Sequence, residues 1–245
     1  MKILSQFIVL TVLVATALQA EAQRKTYLGF EFGPKHEVSR IIGGGDSVKE
    51  YKEGDGIVGG VLFGQEIGEK ILLETGFYAY RYTARVSLDN YGSAGIRAYG
   101  ASQIPFHLKA PIPLFGTRLR LTPAAGFSVV FQNNYGNDFT SSGTSLGYYP
   151  DGDYVSVGAP TNFRKAFVLL DAGLSLEWEF KSTFIVYLSG NYFGGPQRVI
   201  ESDLTSKTGS EPLEYGQLYS NGSYFAKILG VKFPISPIWQ YKKGS

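Results

Sequence analysis

Hydrophobic and polar residues alternate with a period of two along most of this chain. In the segment Phe167–Phe180, every even-numbered position is apolar and most odd-numbered positions are polar, acidic or Gly. A helix repeats every 3.6 residues and would mix these two sets, whereas a β-strand places them on opposite faces. The pattern therefore predicts a strand with one apolar and one polar face.

The same alternation recurs along the chain and predicts an all-β protein with eight strands. The strongest examples lie in the middle of the chain, and the first two and last two strands are weaker. The predicted strands are Thr26–Lys35, Ile57–Glu66, Lys70–Thr83, Ile96–Lys109, Thr117–Gln132, Phe167–Phe180, Thr183–Phe193 and Ser223–Ile235.

The connections between these strands alternate strictly between short and long. The short links are Ile67–Glu69, Ala110–Gly116 and Lys181–Ser182, and the long ones are His36–Gly56, Ala84–Gly95, Asn133–Lys165 and Gly194–Gly222. In an antiparallel up-and-down arrangement, all short turns then lie at one end and all long loops at the other. Outer-membrane β-barrels have this asymmetry, with short periplasmic turns and long extracellular loops. Loops beyond about 15 residues are uncommon in compact soluble domains.

A soluble eight-stranded barrel of the lipocalin type is the main alternative, because alternation alone does not say which face points inward. Such a barrel must present its polar face to water. Here that face is dominated by Gly, Ser and Tyr and carries few charges. The strands are also long enough for the roughly 9–11 tilted residues that cross a bilayer. We therefore predict an eight-stranded antiparallel transmembrane β-barrel, with apolar residues facing lipid and polar residues facing the lumen.

Composition narrows the function further. The chain of 245 residues has no Cys, two His, 18% charged residues and a net charge of +2. The lack of Cys excludes disulfides, thiolate nucleophiles and Cys-ligated metals. The low net charge gives no electrostatic basis for binding nucleic acid. An aromatic content of 15% favours a β-rich protein.

The N-terminus has the layout of a secretory signal peptide. Lys2 precedes the apolar run Ile3–Leu18, and Ala20 and Ala22 supply the small residues of a cleavage site. The run is short for a membrane helix, which needs about 20 residues. We predict a signal peptide at residues 1–22, a barrel at 23–235 and a short periplasmic tail at 236–245, with export to the outer membrane of a Gram-negative cell.

Several strand segments resemble the small outer-membrane β-barrel ("porin family") proteins of Bacteroidota-type bacteria. These segments are Tyr27–Pro34, Gln103–Lys109, Thr122–Gly126 and Gly222–Phe233. The resemblance covers nearly the whole chain after the signal peptide and implies an eight-stranded barrel with both termini in the periplasm. The ending departs from the pattern, because such barrels usually stop at an aromatic residue and here twelve residues follow Phe233. The resemblance leaves open whether Phe233, Trp239 or Tyr241 serves as the assembly signal.

Two motifs suggest ligands, and each has a simpler structural interpretation. Gly54–Gly59 spells G-x-G-x-x-G, but a dinucleotide site needs this motif between a strand and a helix. Here it opens a predicted strand. Asp151–Asp153 resembles a calcium loop without its further acidic ligands, which favours a tight turn. We predict no cofactor, no metal site and no nucleotide.

The two histidines are the candidates for lipid-modifying chemistry. Some small outer-membrane barrels are enzymes in which a His activates a Ser with the help of a carboxylate. His36 has Glu37 and Ser39 beside it, where strand one meets its long loop, but the His-x-Ser spacing of the known deacylases is absent. His107 falls on the lumen face, toward the periplasmic end of strand four. We therefore predict a non-enzymatic protein without catalytic residues and keep a lipid-modifying enzyme as the third hypothesis.

Ten charged residues fall on the predicted lumen face, five acidic and five basic. An eight-stranded barrel is only just wide enough for side chains to fill. Unpaired charges there would be costly, so we expect them to pair across a filled interior. They are Glu31, Glu74, Asp171, Glu177, Glu179, Arg97, Lys109, Arg118, Arg120 and Lys232.

Because the lumen is expected to be filled, we expect the function of the barrel to lie in its loops. The loop Asn133–Lys165 sets aromatic residues among Gly, Ser and Asn, the mixture that antibody paratopes use. Alternatively, these aromatics fold back on the rim or on the Gly194–Gly222 loop. We predict a structural or partner-binding barrel, surrounded by outer-membrane lipid, that meets an extracellular or envelope protein through its loops. A narrow channel or a subunit of an envelope complex is the second hypothesis. The candidate contacts are Tyr135, Phe139, Tyr148, Tyr149, Tyr154 and Phe163.

Overall fold

The computed structural model describes residues 26–46, 48–50, 56–67, 70–88, 92–115, 118–133, 144–146, 153–180 and 184–235. They form thirteen strands: β1 (Thr26–Gly43), β2 (Val48–Glu50), β3 (Gly56–Ile67), β4 (Ile71–Leu88), β5 (Gly92–Lys109), β6 (Ile112–Phe115), β7 (Leu119–Asn133), β8 (Thr144–Leu146), β9 (Tyr154–Phe163), β10 (Ala166–Phe180), β11 (Phe184–Gly194), β12 (Ile200–Lys207) and β13 (Glu214–Pro234). The predicted signal peptide and the tail at 236–245 lie outside the described residues.

Eight of these strands form a closed antiparallel ring. Their order is β1, β3, β4, β5, β7, β10, β11 and β13. Pairing of β13 with β1, from Tyr27 opposite Pro234 upward, closes the ring. Each ring strand corresponds to one of the eight predicted strands, so the predicted up-and-down fold is confirmed. Within the described residues, no helix has the length and apolarity to span a membrane.

The two faces of the ring differ as the alternation predicts. Large apolar side chains cover the outside, and Tyr, Glu and Lys fill the inside. On β10, for example, Leu170, Leu174 and Leu176 are exposed, whereas Asp171 and Glu177 are buried. Other exposed apolar residues are Phe30, Phe32, Val61, Phe77, Phe106, Leu108, Phe127, Leu188, Leu229 and Phe233. The charged side chains of the ring strands therefore lie mainly inside and the exterior is apolar, the reverse of a soluble barrel.

Glycines on neighbouring strands make room for the interior tyrosines. Gly60 lies opposite Tyr78 on β4, and Gly230 lies opposite Tyr187 on β11. A Cβ atom at either glycine would collide with the ring of its tyrosine neighbour. The tyrosine rings thus lie flat against the wall, which lets a narrow barrel hold several of them.

Aromatic residues gather on the outside at the end of the ring that carries the short turns, called here the turn end. The Phe180 and Phe184 rings are stacked with centroids 4.9 Å apart, and Trp178 lies 6.2 Å from Phe180. The Phe233 ring lies 6.4 Å from that of Phe184. This places an aromatic cluster where barrel girdles occur.

At the opposite end, called here the loop end, the two longest predicted loops form additional strands. Residues 214–220 of β13 pair with β12, β12 pairs with β9, and β9 pairs with β8. We call these four segments the cap sheet. The expectation of irregular loops at Asn133–Lys165 and Gly194–Gly222 was wrong in this respect. Each loop was long enough to supply a strand, and the two strands satisfy each other's backbone hydrogen bonds.

The inner face of the cap sheet consists of apolar residues and serines and packs against ring residues at the loop end of the barrel. Val155, Val157, Leu204 and Leu218 are each at most 1% exposed. They belong to one buried cluster with ring residues such as Tyr82, Ala84, Val86, Val130 and Leu169. β8 and β9 also contact β5 on the far side of the ring. The loop end of the barrel is therefore covered by packed β-structure.

Candidate functional site

The lower interior is built around Glu74. Its carboxylate pairs with Lys109 and lies 3.2 Å from the Lys232 ammonium, which in turn lies 2.9 Å from Glu177. All four side chains are at most 8% exposed. Alternation directs each of them inward from a different strand, and the register of the ring brings them to one height. Buried charges persist only when paired in this way.

A line of polar side chains continues from Glu74 toward the loop end, and hydrogen bonds join its members from Asp171 to Tyr224. His107 lies 3.7 Å from Glu74 and 3.2 Å from Asp171. Ser128 donates to Asp171 at 2.8 Å, Gln103 donates to Ser128 at 2.9 Å, and Tyr224 donates to Gln103 at 2.7 Å. Sequence analysis placed His107 on the lumen face but did not join it to the charge network.

A second buried ion pair, Lys35 with Glu37, lies above this line. Glu37 accepts hydrogen bonds from the Thr83 backbone N–H at 2.6 Å and the Thr83 hydroxyl at 2.9 Å. The Lys35 ammonium lies 4.9 Å from the centre of the Tyr80 ring. Sequence reasoning missed this pair because the predicted strand ended at Lys35, whereas β1 continues to Gly43. The signal was the inward spacing of Lys35, Glu37 and Ser39.

The predicted lumen residues do not all lie in the interior. The structure buries Glu31, Glu74, Lys109, Asp171, Glu177 and Lys232. Glu31 accepts from the Tyr187 hydroxyl, and Arg120 pairs with Glu179 in a partly buried position. Arg118 is a correction: it lies in the turn before β7 and is exposed. The predicted strand began too early, so this position lies beyond the wall. Arg97 lies in β5, and its side chain lies outside the described part.

Neither histidine has the arrangement of a hydrolytic site. His36 lies within β1 rather than at a loop and points outward, while Glu37 and Ser39 on the same strand are buried inside. Around His107 the order is His107, Asp171, Ser128, with the carboxylate in the middle. Activation of a nucleophile requires the base, not the carboxylate, to contact the hydroxyl.

The remaining ligand motifs form ordinary structure. Gly56–Gly59 opens strand β3, and residues 54–55 lie outside the described part. Asp153 accepts a hydrogen bond from the Gly209 backbone N–H at 2.8 Å, and residues 151–152 lie outside the described part. Among the residues that the structure describes, no group of three His, Asp or Glu side chains is arranged to hold a metal ion.

The outer face of the cap sheet combines aromatic and charged residues. Arg198 lies 4.2 Å from the centre of the Tyr219 ring and 3.6 Å from Glu201. At the tip, Tyr215 is 73% exposed, and Leu213 and Ile42 are each 49% exposed. We call these last three residues the tip patch. Ile42 comes from the loop end of β1, and Leu213 and Tyr215 flank the first residue of β13, so the patch lies at the loop end of the molecule.

The candidate loop residues divide into two groups. Tyr135, Phe139, Tyr148 and Tyr149 lie outside the described residues. Tyr154 and Phe163 are the first and last residues of β9 and lie opposite Lys207 and Ile200 of β12. Phe163 packs against the buried cluster. Phe163 therefore packs as the alternative expects, and for Tyr154 the backbone pairing with β12 is the observation.

Comparisons with known proteins give low-scoring structural likenesses. No family model matches the chain, and no curated protein sequence matches it. The crystal structure of the outer membrane protein OprG from Pseudomonas aeruginosa is 10% identical with a TM-score of 0.47, covering 86% of this chain and 96% of that one. Neisserial surface protein A (NspA) is 9% identical with a TM-score of 0.48, covering 86% and 97%. The N-terminal β-barrel domain of P. aeruginosa OprF is 15% identical with a TM-score of 0.41, covering 86% and 98%. The fold assignment rests on the closed ring itself.

Proposed function

We propose that this chain is an outer-membrane β-barrel protein that acts through the surface of its cap sheet and not through its lumen. The exterior of the ring supports the membrane assignment, because each ring strand exposes at least one large apolar residue of the types Phe, Leu, Ile or Val. A contiguous apolar exterior of this extent is stable against lipid and not against water. The short turns then face the periplasm and the cap sheet faces the outside of the cell.

The observation that carries the proposal is the filled interior beneath a covered mouth. The largest fully buried side chains include Tyr78, Tyr187, Tyr224, Phe193 and Lys232, all inside the ring. Above them, Leu204 and Leu218 of the cap sheet continue the same packing. These buried side chains fill the interior that a channel would need, which leaves the exposed surface of the cap sheet to meet a partner.

Planar-bilayer recording tests this proposal. We expect the refolded protein to show no stepwise conductance. A variant that replaces residues 197–213 of the cap sheet with a short Gly-Ser turn should also stay closed, because the lower interior remains filled. Stepwise conductance in the wild type would contradict the proposal and support a narrow channel. Conductance in the shortened variant alone would show that the cap sheet is a gate.

A second experiment tests the cap sheet as the contact surface. Leu213→Ser with Tyr215→Ser should leave a barrel that inserts and migrates faster on a gel unheated than boiled. In cells, the double variant should reproduce the phenotype of a deletion of the whole chain. A matched control is Asp203→Ser, which changes an exposed polar residue on the same sheet. Full activity of the double variant, or equal loss in the control, would contradict the tip patch as the contact.

We also propose a family, a signal peptide and a cellular location for this chain. The strand motifs support membership of the porin-family barrels of Bacteroidota-type bacteria. Residues 1–22 support export through a cleaved signal peptide. A mature N-terminus near Gln23 and recovery in the outer-membrane fraction are the expected outcomes. Recovery of the protein as a water-soluble monomer would contradict the location.

A further inference from the structure

The apolar exterior of the ring carries a lysine within a groove. Lys227 is exposed on the outward face of β13, between Phe225 and Leu229, which are 37% and 43% exposed. In register it lies opposite Gly190 of β11. A groove of about 460 Å³ runs over this point, and Phe32, Pro34, Leu188 and Gly190 contribute to its walls and floor.

Small residues and a break in the strand ladder create the groove. The β1–β13 pairing has partners at Phe32 and Lys35 but none at Gly33 and Pro34. Pro34 has no N–H to donate. A Cβ atom at Gly33 would collide with the Lys227 carbonyl, so the two strands approach closely there. Gly190 adds no side chain on the other flank, and a depression remains around the Lys227 stem.

The charge in this groove has no protein counter-ion. Within the described residues, no carboxylate pairs with Lys227, and the outward positions of β1, β11 and β13 across the apolar exterior carry no acidic residue. A lysine on the lipid face of a barrel costs up to about 2–4 kcal/mol near the midplane unless its charge is compensated. The outward positions of the other described ring strands also carry no acidic residue, so a second copy that docked through them would supply no counter-charge.

We propose that this groove binds an anionic lipid of the outer leaflet, with the lipid phosphate on Lys227 and an acyl chain in the groove. The inference rests on the proposed membrane insertion. The charged and apolar parts of the groove follow each other in the same order as the headgroup and acyl chains of such a lipid. Lys227 and Gly190 form the row nearer the loop end, and Phe32, Leu188 and Leu229 form the next row toward the turn end. An outer-leaflet lipid likewise places its headgroup outward and its chains inward, and lysine stems extend toward headgroups.

Lipid retention measured by native mass spectrometry tests this site. The wild type and variants are refolded in vesicles that contain equal amounts of dimyristoyl phosphatidylglycerol and dimyristoyl phosphatidylcholine, then released in mild detergent. We expect the wild type to retain phosphatidylglycerol in preference. Lys227→Gln should reduce this preference about fivefold, which corresponds to about 1 kcal/mol for one lysine at an anionic surface. Gly190→Leu, which fills the groove, should reduce retention of both lipids.

Arg81→Gln is the matched control, because Arg81 is another exposed outward cation but does not line the groove. It should keep the wild-type preference. An unchanged preference in Lys227→Gln, an equal loss in Arg81→Gln, or unchanged retention in Gly190→Leu would overturn the proposal. A photo-crosslinker at position 227 that captures an envelope protein or a second copy in cells, rather than lipid, would also overturn it.

Insertion is measured separately by the gel shift between unheated and boiled samples. A wild type that inserts without a lipid preference contradicts the lipid site alone. A wild type that fails to insert contradicts the proposed membrane function and, with it, this site.

Discussion

The ring and the cap sheet bury different kinds of side chain: the ring interior holds paired charges beside tyrosines and apolar residues, and the inner face of the cap sheet holds apolar residues and serines. Inside the ring lie Glu74, Glu177 and Lys232, while Leu174 and Leu229 face outward. Inside the cap sheet lie Leu204 and Leu218, while its outer face carries Tyr215, Asp203 and Glu201. One strand, β13, takes part in both regions.

Under the proposed membrane insertion, the difference between the two regions follows from the medium outside each of them. Against lipid, apolar side chains gain nothing by moving inward, and charged side chains are stable only when they pair inside. Against water, burial of apolar area stabilises the fold as in any soluble sheet. The irregular register between Glu37 and Ser39 of β1, opposite Gly222 with its φ of 75°, marks the border. The strands continue across it, and only the chemistry of each face changes.

Removing one buried charge should have the largest effect. Glu74→Ala leaves the Lys109 and Lys232 ammonium groups without their shared carboxylate, at an expected cost of about 3–5 kcal/mol in the free energy of unfolding. Urea unfolding from vesicles measures it. The matched control is Glu201→Ala on the outer face of the cap sheet, where loss of an exposed pair costs at most about 1 kcal/mol. Equal effects at the two sites would contradict the comparison.

Placing a cation on each exterior should give the next largest difference. Leu174→Arg puts the charge in lipid and should destabilise the barrel by about 2–4 kcal/mol. Tyr215→Arg puts it in water and should change stability by at most about 0.5 kcal/mol. Both residues are exposed, at 49% and 73%. The same urea titration compares them, and equal tolerance of the two changes would mean that no lipid surrounds the ring.

Truncating an apolar side chain inside the cap sheet should act locally. Leu204 is 1% exposed. Leu204→Ala should cost about 2–3 kcal/mol, because the neighbouring side chains relax only partly around the cavity. Hydrogen exchange should accelerate at the amides of β9 and β12 and stay unchanged in β10 and β11. Leu213→Ala, at an exposed position, is the control. Faster exchange throughout the ring would show that the two regions unfold together.

The smallest effect is expected on the outer face of the cap sheet. Arg198→Ala removes the contacts with Tyr219 and Glu201, which are together worth about 0.5–1 kcal/mol. Local hydrogen exchange at β12 and β13 should rise slightly, and high salt should reduce the difference from the wild type. Arg198→Lys should recover part of the loss. A loss above about 2 kcal/mol would show that this face is buried against something else.

Alternation was sufficient to predict the ring strands, because the polarity of each residue indicates which face of its strand it occupies. The segment Phe167–Phe180 corresponds to β10, and its apolar set faces outward as predicted. Strand ends were less predictable. At β1, polar residues lie on both faces beyond Lys35, so the period weakens although the strand continues to Gly43. At β7, Arg118 keeps the phase of the strand but lies before its first residue.

The sequence predicted which charged residues face the interior, but it did not predict which of them pair with each other. Inward charges were visible from the sequence, but which of them meet depends on the register of strands far apart in the chain. Glu74 pairs with Lys109 and Lys232, and Tyr224 reaches Gln103, only because the closed ring brings these positions to one height. His107 was assigned to the right face without its two carboxylate neighbours for the same reason.

The sequence by itself determined the eight ring strands, their polarity and the inventory of inward charges, since these depend on local periodicity and on the medium at each face. Tertiary structure alone decided that two long loops pair into the cap sheet, because β9 and β12 find their hydrogen-bond partners in each other and in β13. It also decided that Lys227 lies in a groove, since Gly33, Pro34 and Gly190 come from two other strands. Short-range periodicity carries no information about which distant residues a closed ring makes neighbours.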